Sequence, residues 1–242
     1  KFGGREKYDA AIKELEQEYR ILSPSYPLTT QVNEVVEGLA ELLATEHLTR
    51  VHLFGHSLGA ALAHVFVRRY PDKVDKLILA NFGLYTPAKA RRERFLLQLF
   101  SQLPYNVICW YYQRRLAYLL AAGDAAEQPF IHAYIQELLT ATHTKATVVS
   151  HFQLLLDLID HAQAYALFTP VTRAGRVLLI EGKEDPVFSL ADQMRLESYY
   201  PGAEVYRFEQ GGHMVGFTHP AELNTQLRCF LRASAEEAVL WN

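Results

Sequence analysis

The chain has 242 residues and a net charge of −3, and half of its residues are hydrophobic while about a fifth are charged. This composition is typical of a soluble globular protein, long enough for one large domain or two small ones. Because no basic stripe accompanies the net negative charge, the sequence argues against a nucleic-acid partner. No run of 18 apolar residues occurs, so no membrane span is predicted.

The two cysteines, Cys109 and Cys229, lie far apart in apolar stretches. Two such residues do not make a disulfide framework, and no C-x-x-C pair indicates zinc or redox chemistry. We therefore expect two buried structural thiols, which favours a reducing, cytoplasmic compartment. No pair of histidines has the spacing of metal ligands, so neither a metal nor another cofactor is predicted.

The first part of the chain alternates helical and extended patterns. Apolar spacing predicts a helix over 7–19, and the residues over 19–23 predict a short strand that ends before Pro24. A second apolar stripe predicts a helix over 32–43, which Thr30 is expected to cap. The remaining predictions of this part are a strand over 50–54, a helix over 60–70 and a strand over 76–81.

The alternation stops between residues 83 and 170, where no clear strand pattern occurs. Helices are predicted there over 92–102, 108–122, 130–140 and 147–161, in a stretch that is rich in aromatic residues. This stretch is interpreted as a helical cap inserted into a core of residues 1–82 and 171–242. Such a cap would cover the carboxyl edge of the sheet, where ligands bind in open α/β sheets.

The alternation resumes after the insertion. Strands are predicted over 176–181 and 203–208, and helices over 190–200 and 221–232. Alternating strands and helices predict an α/β fold, in which a mostly parallel sheet is flanked by helices on both faces.

The motif Gly55-His56-Ser57-Leu58-Gly59 lies between the predicted strand over 50–54 and the helix over 60–70. A G-x-S-x-G turn in this place holds a serine hydroxyl exposed, as a nucleophile requires. We expect both glycines to be needed, because a side chain at either position would collide with the neighbouring strand or helix. Ser57 is thus the candidate nucleophile.

A serine nucleophile needs a base, and the base needs an orienting acid. Asp185 directly follows the predicted strand over 176–181, and His213 follows the strand over 203–208, in the chain order nucleophile, acid, histidine. All three candidates therefore lie at the same end of three parallel strands. Asp185 has a structural alternative as a turn residue before Pro186, and Glu184 is the alternative acid.

The other histidines have weaker claims to a role in catalysis. His56 is expected to point away from Ser57, and His219, which precedes Pro220, is expected to begin the last helix. Four histidines of the insertion are each candidates for contact with substrate, namely His132, His143, His151 and His161.

These residues resemble the α/β-hydrolase superfamily over most of the chain. Gly55–Gly59 is similar to its nucleophile elbow, 182–185 to its acid loop and 211–213 to its histidine loop. The resemblance implies that one oxyanion donor is the backbone N–H of Leu58, next after the nucleophile. In the family the second donor comes from a His-Gly turn, and Phe2-Gly3-Gly4 is similar to the segment just after that turn. Phe2, or Lys1, is therefore the nearest candidate for the second donor.

In the same family a strand lies between the segments that correspond here to 21–22 and 51–54. The first three strands of the family have no counterpart in this sequence, and a sheet without its middle strand would leave buried backbone unpaired. We therefore expect either that the protein extends upstream of Lys1 or that something else fills the gap.

A shorter similarity, carried by Ser25-Tyr26-Pro27, 52–55 and 221–224, is to maspardin and its relatives. These are α/β-hydrolase-fold proteins thought to act as binding partners, so this similarity implies a non-catalytic protein, with a protein partner bound through the cap. The complete Ser, Asp and His set favours a serine hydrolase of an ester-like acyl bond. The aromatic insertion favours a small to medium apolar substrate, and carbon–carbon bond hydrolysis and peptidase activity stay open.

Overall fold

The computed structural model describes residues 9–119, 136–137, 139, 143–171 and 176–233. Within these ranges four parallel strands form one sheet in the order β1-β2-β3-β4, as predicted for an α/β fold. The strands are β1 (Val51–His56), β2 (Val74–Ala80), β3 (Arg176–Gly182) and β4 (Glu204–Phe208). The helices are α1 (Asp9–Leu15), α2 (Val32–Thr45), α3 (Leu58–Arg69), α4 (Pro87–Gln102), α5 (Tyr105–Leu119), α6 (Lys145–Asp160), α7 (Leu190–Glu197), α8 (Val215–Thr218) and α9 (Pro220–Arg232).

Helices cover both faces of the sheet. Along β2, Leu77 and Leu79 pack into an apolar cluster with residues of α2 and α3. Ile78 and Ala80, which alternate with them, pack into a second cluster with residues of α1 and α9. Successive side chains of a strand point to opposite faces, so burial on both sides explains why β2 and β3 are almost continuously apolar.

The described elements between β2 and β3 are all helical, and three of the four helices predicted there are present as α4, α5 and α6. Helix α4 packs against α6, and the Phe100 ring lies 5.1 Å from Tyr111 and 5.4 Å from Phe152. The helix predicted over 130–140 falls almost entirely outside the described residues. The division of the chain into a core and a cap stays a prediction. No helix in the described ranges has the length and apolar character needed to cross a membrane.

Two local predictions in the first part of the chain are wrong. The residues over 19–23 are not a strand, and in the described ranges β1 pairs with β2 alone, so no ladder partner is present for that segment. Thr30 does not cap α2. The first N–H of that helix, on Val32, instead donates to Asp157 Oδ2 of α6 at 2.8 Å.

The two cysteines differ in exposure. Cys109 is half-buried and Cys229 is exposed, and both are free thiols. The expectation of two buried thiols is therefore wrong for Cys229. The apolar neighbours of Cys229 along the chain lie on the buried face of α9, whereas the helical period turns Cys229 itself outward.

Glu181, in β3, is a buried carboxylate beside Arg207 of β4. Arg207 Nε lies 2.8 Å from Glu181 Oε2, and the Glu181 side chain is only 2% exposed. Burial raises the pKa of Glu181 to about 7, and the Arg207 charge opposes this rise while the Glu197 charge adds to it. The folded protein therefore holds a proton here at pH values where an unfolded chain has lost it.

We expect Glu181 to reduce the free energy of unfolding as the pH rises from 4.5 to about 7, because the folded state binds more protons over that window. Above that window the cost is roughly 3 kcal/mol. The difference in free energy of unfolding between Glu181→Gln and the unsubstituted protein should therefore shift in favour of the variant as the pH rises from about 5 to about 8. Urea unfolding across this range measures the gain, with the exposed Glu209→Gln as control. A difference that does not change with pH would contradict the prediction.

Candidate active site

Ser57 lies at the tight turn between β1 and α3. Its φ of 52° places a non-glycine residue in the left-handed region, and its N–H donates to the backbone oxygen of Ala80 at 3.0 Å. Such backbone strain persists only where the surrounding structure enforces it. The turn has the strand–turn–helix placement that the sequence predicts, and it holds Ser57 at the carboxyl end of the sheet.

The two glycines of the motif have different roles. A Cβ on Gly55 would lie 2.4 Å from the backbone oxygen of Gly59 and 2.7 Å from Ala60 Cα. A Cβ on Gly59 would have its nearest neighbour, Tyr26 Oη, at 3.9 Å. The expectation that both glycines are required is therefore right for Gly55 and wrong for Gly59, because α3 leads away from the sheet at Gly59.

Gly55→Ala and Gly59→Ala are expected to change stability in opposite directions. Gly55→Ala should lower the free energy of unfolding by about 2–4 kcal/mol, because its methyl group meets backbone that cannot give way. Gly59→Ala should raise it by about 0.5–1 kcal/mol, since alanine has the higher helix propensity and space is available. Urea unfolding of both variants measures the contrast, and equal losses would show that the steric account of the turn is wrong.

Ser57, His213 and Asp185 form one hydrogen-bonded chain. Ser57 Oγ lies 3.0 Å from His213 Nε2, and His213 Nδ1 lies 2.9 Å from Asp185 Oδ2. The alternative acid, Glu184, is exposed, whereas Asp185 is buried. The three side chains that the sequence predicts to meet are therefore together, with the spacing that a nucleophile, a base and an orienting acid require.

Asp185 is held in its charged form by the groups around it. Burial is the largest single influence on the pKa of Asp185 and raises it, but the hydrogen bond and the charge of His213, together with two backbone N–H groups, outweigh burial, so the net pKa lies below the ordinary value. These N–H groups, of Val187 and Phe188, donate to Asp185 Oδ1 at 2.7 and 3.1 Å. Both oxygens of the Asp185 carboxylate accept hydrogen bonds. Asp185 therefore stabilises its own turn through Oδ1 and pairs with His213 through Oδ2.

Asn81, which directly follows β2, is a further residue of the site that the sequence reasoning did not identify. Its Nδ2 donates to Asp185 Oδ2 at 3.3 Å and to the backbone oxygen of Gly212 at 3.0 Å, and its side chain is buried. Asn81 thus joins the acid loop to the histidine loop. The one signal for it was a polar residue closing an apolar strand.

The acid loop and the histidine loop lie directly against each other. A Cβ on Gly182 would lie 2.3 Å from the backbone oxygen of Gly212, so only glycine fits there. His56 Nε2 lies 2.8 Å from the backbone oxygen of His213, and the two rings are 5.3 Å apart. His56 therefore supports the histidine loop, and its side chain is closer to the site than the sequence reasoning assumed.

Of the proposed oxyanion donors, Leu58 is among the described residues. The Leu58 N–H stands in the first turn of α3, next to Ser57, where helix N–H groups have no intrahelical acceptor. Leu58 as oxyanion donor stays a prediction. Phe2 and Lys1 lie outside the described residues.

A cavity of about 1040 Å³ opens at Ser57 and His213. One arm extends beneath the helices of the insertion, where Tyr85, Tyr112 and Leu116 contribute to its wall. The other arm follows the edge of β1 that has no partner strand among the described residues, and it reaches 20–24. This second arm lies between the two segments where the resemblance places a strand of the family.

The remaining histidines differ in their surroundings. His143 and His151 of the insertion line the cavity, whereas His161, which directly follows α6, contacts Asp157 of that helix. His219 directly precedes Pro220, the first residue of α9, so it begins the last helix as expected. Its Nδ1 lies 2.8 Å from Thr218 Oγ1. His132 lies outside the described residues.

Known sequences match most of this chain. The profile of the alpha/beta hydrolase family matches residues 11–226. A putative carbamate hydrolase RutD of Agrobacterium fabrum is 24% identical over 209 residues, covering 85% of this chain and 76% of that protein. A 2-hydroxy-6-oxononadienedioate/2-hydroxy-6-oxononatrienedioate hydrolase of Burkholderia vietnamiensis is 23% identical, covering 80% of this chain and 66% of that protein.

Solved structures share the fold at lower identity. A hydrolase from Pseudomonas aeruginosa PA01 has a TM-score of 0.74 at 17% identity, covering 96% of this chain and 86% of that one. A thermophilic esterase from Thermogutta terrifontis has a TM-score of 0.74 at 19% identity, covering 94% and 85%. At these identities the similarity extends to the fold alone.

Proposed function

The chain belongs to the alpha/beta hydrolase family, and on that premise we propose that it is a serine hydrolase that cleaves an ester-like acyl bond. The observation that carries the proposal is the hydrogen-bonded chain from Ser57 through His213 to Asp185. A serine in a strained turn, next to a histidine that a buried carboxylate orients, is the arrangement of nucleophilic acyl transfer.

The proposed reaction has two halves. Ser57 Oγ attacks the carbonyl carbon while His213 Nε2 takes its proton, and Asp185 stabilises the resulting imidazolium. The oxyanion accepts a hydrogen bond from the Leu58 N–H, and collapse of the intermediate expels the leaving group, which receives the proton from His213. Water then attacks the acyl-enzyme with His213 again as base, which releases the acid and restores Ser57.

The finer assignment is a carboxylesterase-like activity on a small to medium substrate, in a reducing, cytoplasmic compartment. The arm of the cavity beneath α4, α5 and α6 supports binding of the acyl group there, with the insertion acting as a cap. The similar proteins include an esterase, a putative carbamate hydrolase and a hydrolase of a dienedioate carbon chain. Carbamate and carbon–carbon bond hydrolysis are therefore the alternatives within the same triad chemistry.

A direct test combines covalent labelling with a small set of substrates. A fluorophosphonate probe should label Ser57, as mapped by peptide mass spectrometry, and 4-nitrophenyl butyrate should be hydrolysed faster than a phenyl carbamate or a vinylogous diketone. Faster turnover of one of the latter two would move the assignment to that bond type. Absence of both labelling and turnover would overturn the hydrolase proposal.

One observation favours a second candidate function, a non-catalytic binding protein on the same fold. Large apolar side chains are exposed on the helices of the insertion: Phe95 (63%) and Leu99 (38%) on α4, and Trp110 (56%) and Tyr118 (60%) on α5. Such a surface is typical of a contact with a protein partner. A folded protein that the fluorophosphonate probe does not label at Ser57 would favour this binding-protein candidate.

A further inference from the structure

Four arginines line the cavity, and one of them differs from the rest. Three have a carboxylate partner, the pairs being Arg20–Glu46, Arg50–Asp75 and Arg92–Glu93. Arg115, on α5, is half-buried and has neither an ion pair nor a hydrogen bond among the described residues. A guanidinium that is partly removed from water without a counter-charge is destabilising for the free protein, which points to a ligand that supplies the charge.

Two tyrosines line the same cavity as Arg115, and one of them, Tyr112, lies three residues before Arg115 on α5. Tyr85 and Tyr112 both line it, and neither hydroxyl has a hydrogen-bond acceptor within the described ranges. Burial chiefly raises the pKa of both hydroxyls, and the nearby Arg115 charge opposes that rise at each. Both tyrosine hydroxyls are therefore neutral hydrogen-bond donors at any ordinary pH, and the Arg115 charge acts on both of them.

The cluster of Arg115, Tyr85 and Tyr112 is connected to the catalytic centre by ring contacts. The Tyr85 ring lies 5.6 Å from the Phe188 ring, and the Phe188 ring lies 6.0 Å from the His213 ring. One aromatic ring, that of Phe188, thus separates the cluster from the base. A substrate whose reacting carbonyl is at Ser57 can extend into this arm and reach the cluster.

The charges around the cluster leave a positive excess. Glu93 is buried at 4% exposure and lies beside the tyrosines, but Arg92 Nη2 binds its Oε1 at 2.6 Å. That pair is neutral as a whole, so the Arg115 charge is the one without compensation among the described residues of this arm. A guanidinium presents a planar fork of donors that matches a carboxylate, and two hydroxyl donors add to the same preference for an anion.

We propose that Arg115, together with the Tyr85 and Tyr112 hydroxyls, binds a carboxylate of the substrate, so that the enzyme acts on acyl compounds carrying an acid group away from the scissile bond. This inference rests on the proposed hydrolase function and narrows its substrate class. It replaces the purely apolar substrate expected from the aromatic insertion with one that has an apolar body and an anionic end.

The test compares charged and neutral esters of matched length. Mono(4-nitrophenyl) adipate and 4-nitrophenyl hexanoate differ at the acyl end, and 4-butyryloxybenzoate and phenyl butyrate differ at the leaving group. In at least one pair the charged ester should have the higher kcat/KM. Arg115→Gln should reduce kcat/KM for that ester by about 10- to 100-fold, the effect of one charge-assisted pair, and leave its neutral partner within about twofold.

Arg114→Gln is the matched control, because Arg114 is exposed and lies over the Trp110 ring, outside the cavity. It should change neither ester, and Arg115→Lys should restore part of the preference for the charged one. Equal losses for both members of each pair, or no loss at all, would overturn the proposed carboxylate site while leaving the hydrolase function standing.

A binding measurement separates failure of this inference from failure of the hydrolase proposal. Adipate should bind to the Ser57→Ala protein in calorimetry, and addition of Arg115→Gln should weaken that binding by about 10-fold or more. Arg115-dependent binding without turnover of any ester would support the carboxylate site and contradict the hydrolase proposal. Binding that does not depend on Arg115 would contradict the site.

Discussion

Ser57→Ala is expected to lower kcat for 4-nitrophenyl butyrate by about 10⁴- to 10⁶-fold, because it removes the one oxygen that forms the proposed acyl-enzyme. The remaining groups can still stabilise an oxyanion, but no nucleophile is present to attack the carbonyl carbon. Stability should be almost unchanged, since Ser57 Oγ makes its bond with His213 alone among the described residues. Initial rates and the loss of fluorophosphonate labelling measure the effect.

Ser101→Ala is the matched control for this substitution. Ser101 is exposed near the end of α4, where its hydroxyl donates to the backbone oxygen of Leu97. It should keep full activity and full labelling at Ser57. Equal residual rates in the Ser57→Ala and the unsubstituted protein, with both folded by circular dichroism, would remove the catalytic interpretation and bring the binding-protein candidate forward.

Asp185→Asn is expected to lower kcat by about 10⁴-fold, the second-largest effect. The carboxylate accepts from His213 Nδ1 at 2.9 Å, which leaves Nε2 as the nitrogen that takes the Ser57 proton. An amide in its place can donate to Nδ1, which stabilises the tautomer whose Nε2 cannot act as a base, and it cannot stabilise the imidazolium. Because groups bonded to this carboxylate hold its pKa low, the charge is present throughout the neutral range.

Glu184→Gln removes the neighbouring carboxylate and distinguishes the two candidate acids. Glu184 is exposed, so its substitution should leave kcat within about twofold of the unsubstituted enzyme. A large loss in Glu184→Gln with little loss in Asp185→Asn would reverse the assignment of the acid. Measuring kcat rather than kcat/KM limits the comparison to the steps after substrate binding.

Features that depend on neighbours along the chain were predictable from the sequence. The helical and strand periods of the described elements were predictable because the burial of one face imposes a repeat of 3.6 or 2 residues. The meeting of Ser57, Asp185 and His213 was predictable as well. Each follows a parallel strand, and parallel strands bring their carboxyl ends to one edge whatever the side chains between them.

Only the tertiary structure decided the features that depend on residues distant in sequence. The strand predicted over 19–23 is absent because a strand needs a neighbouring strand to pair with, and none is present among the described residues. The cap of α2 comes from Asp157, which is 125 residues away in the sequence. Asn81 joins the two catalytic loops through bonds that no local pattern encodes. Arg115 looks like its exposed neighbour Arg114 in the sequence, and only the packing of the helices shows which of the two faces the cavity without a counter-charge among the described residues. Sequence period determines which face of an element is buried, but the partner of a buried charge or polar group is set by chain packing in three dimensions.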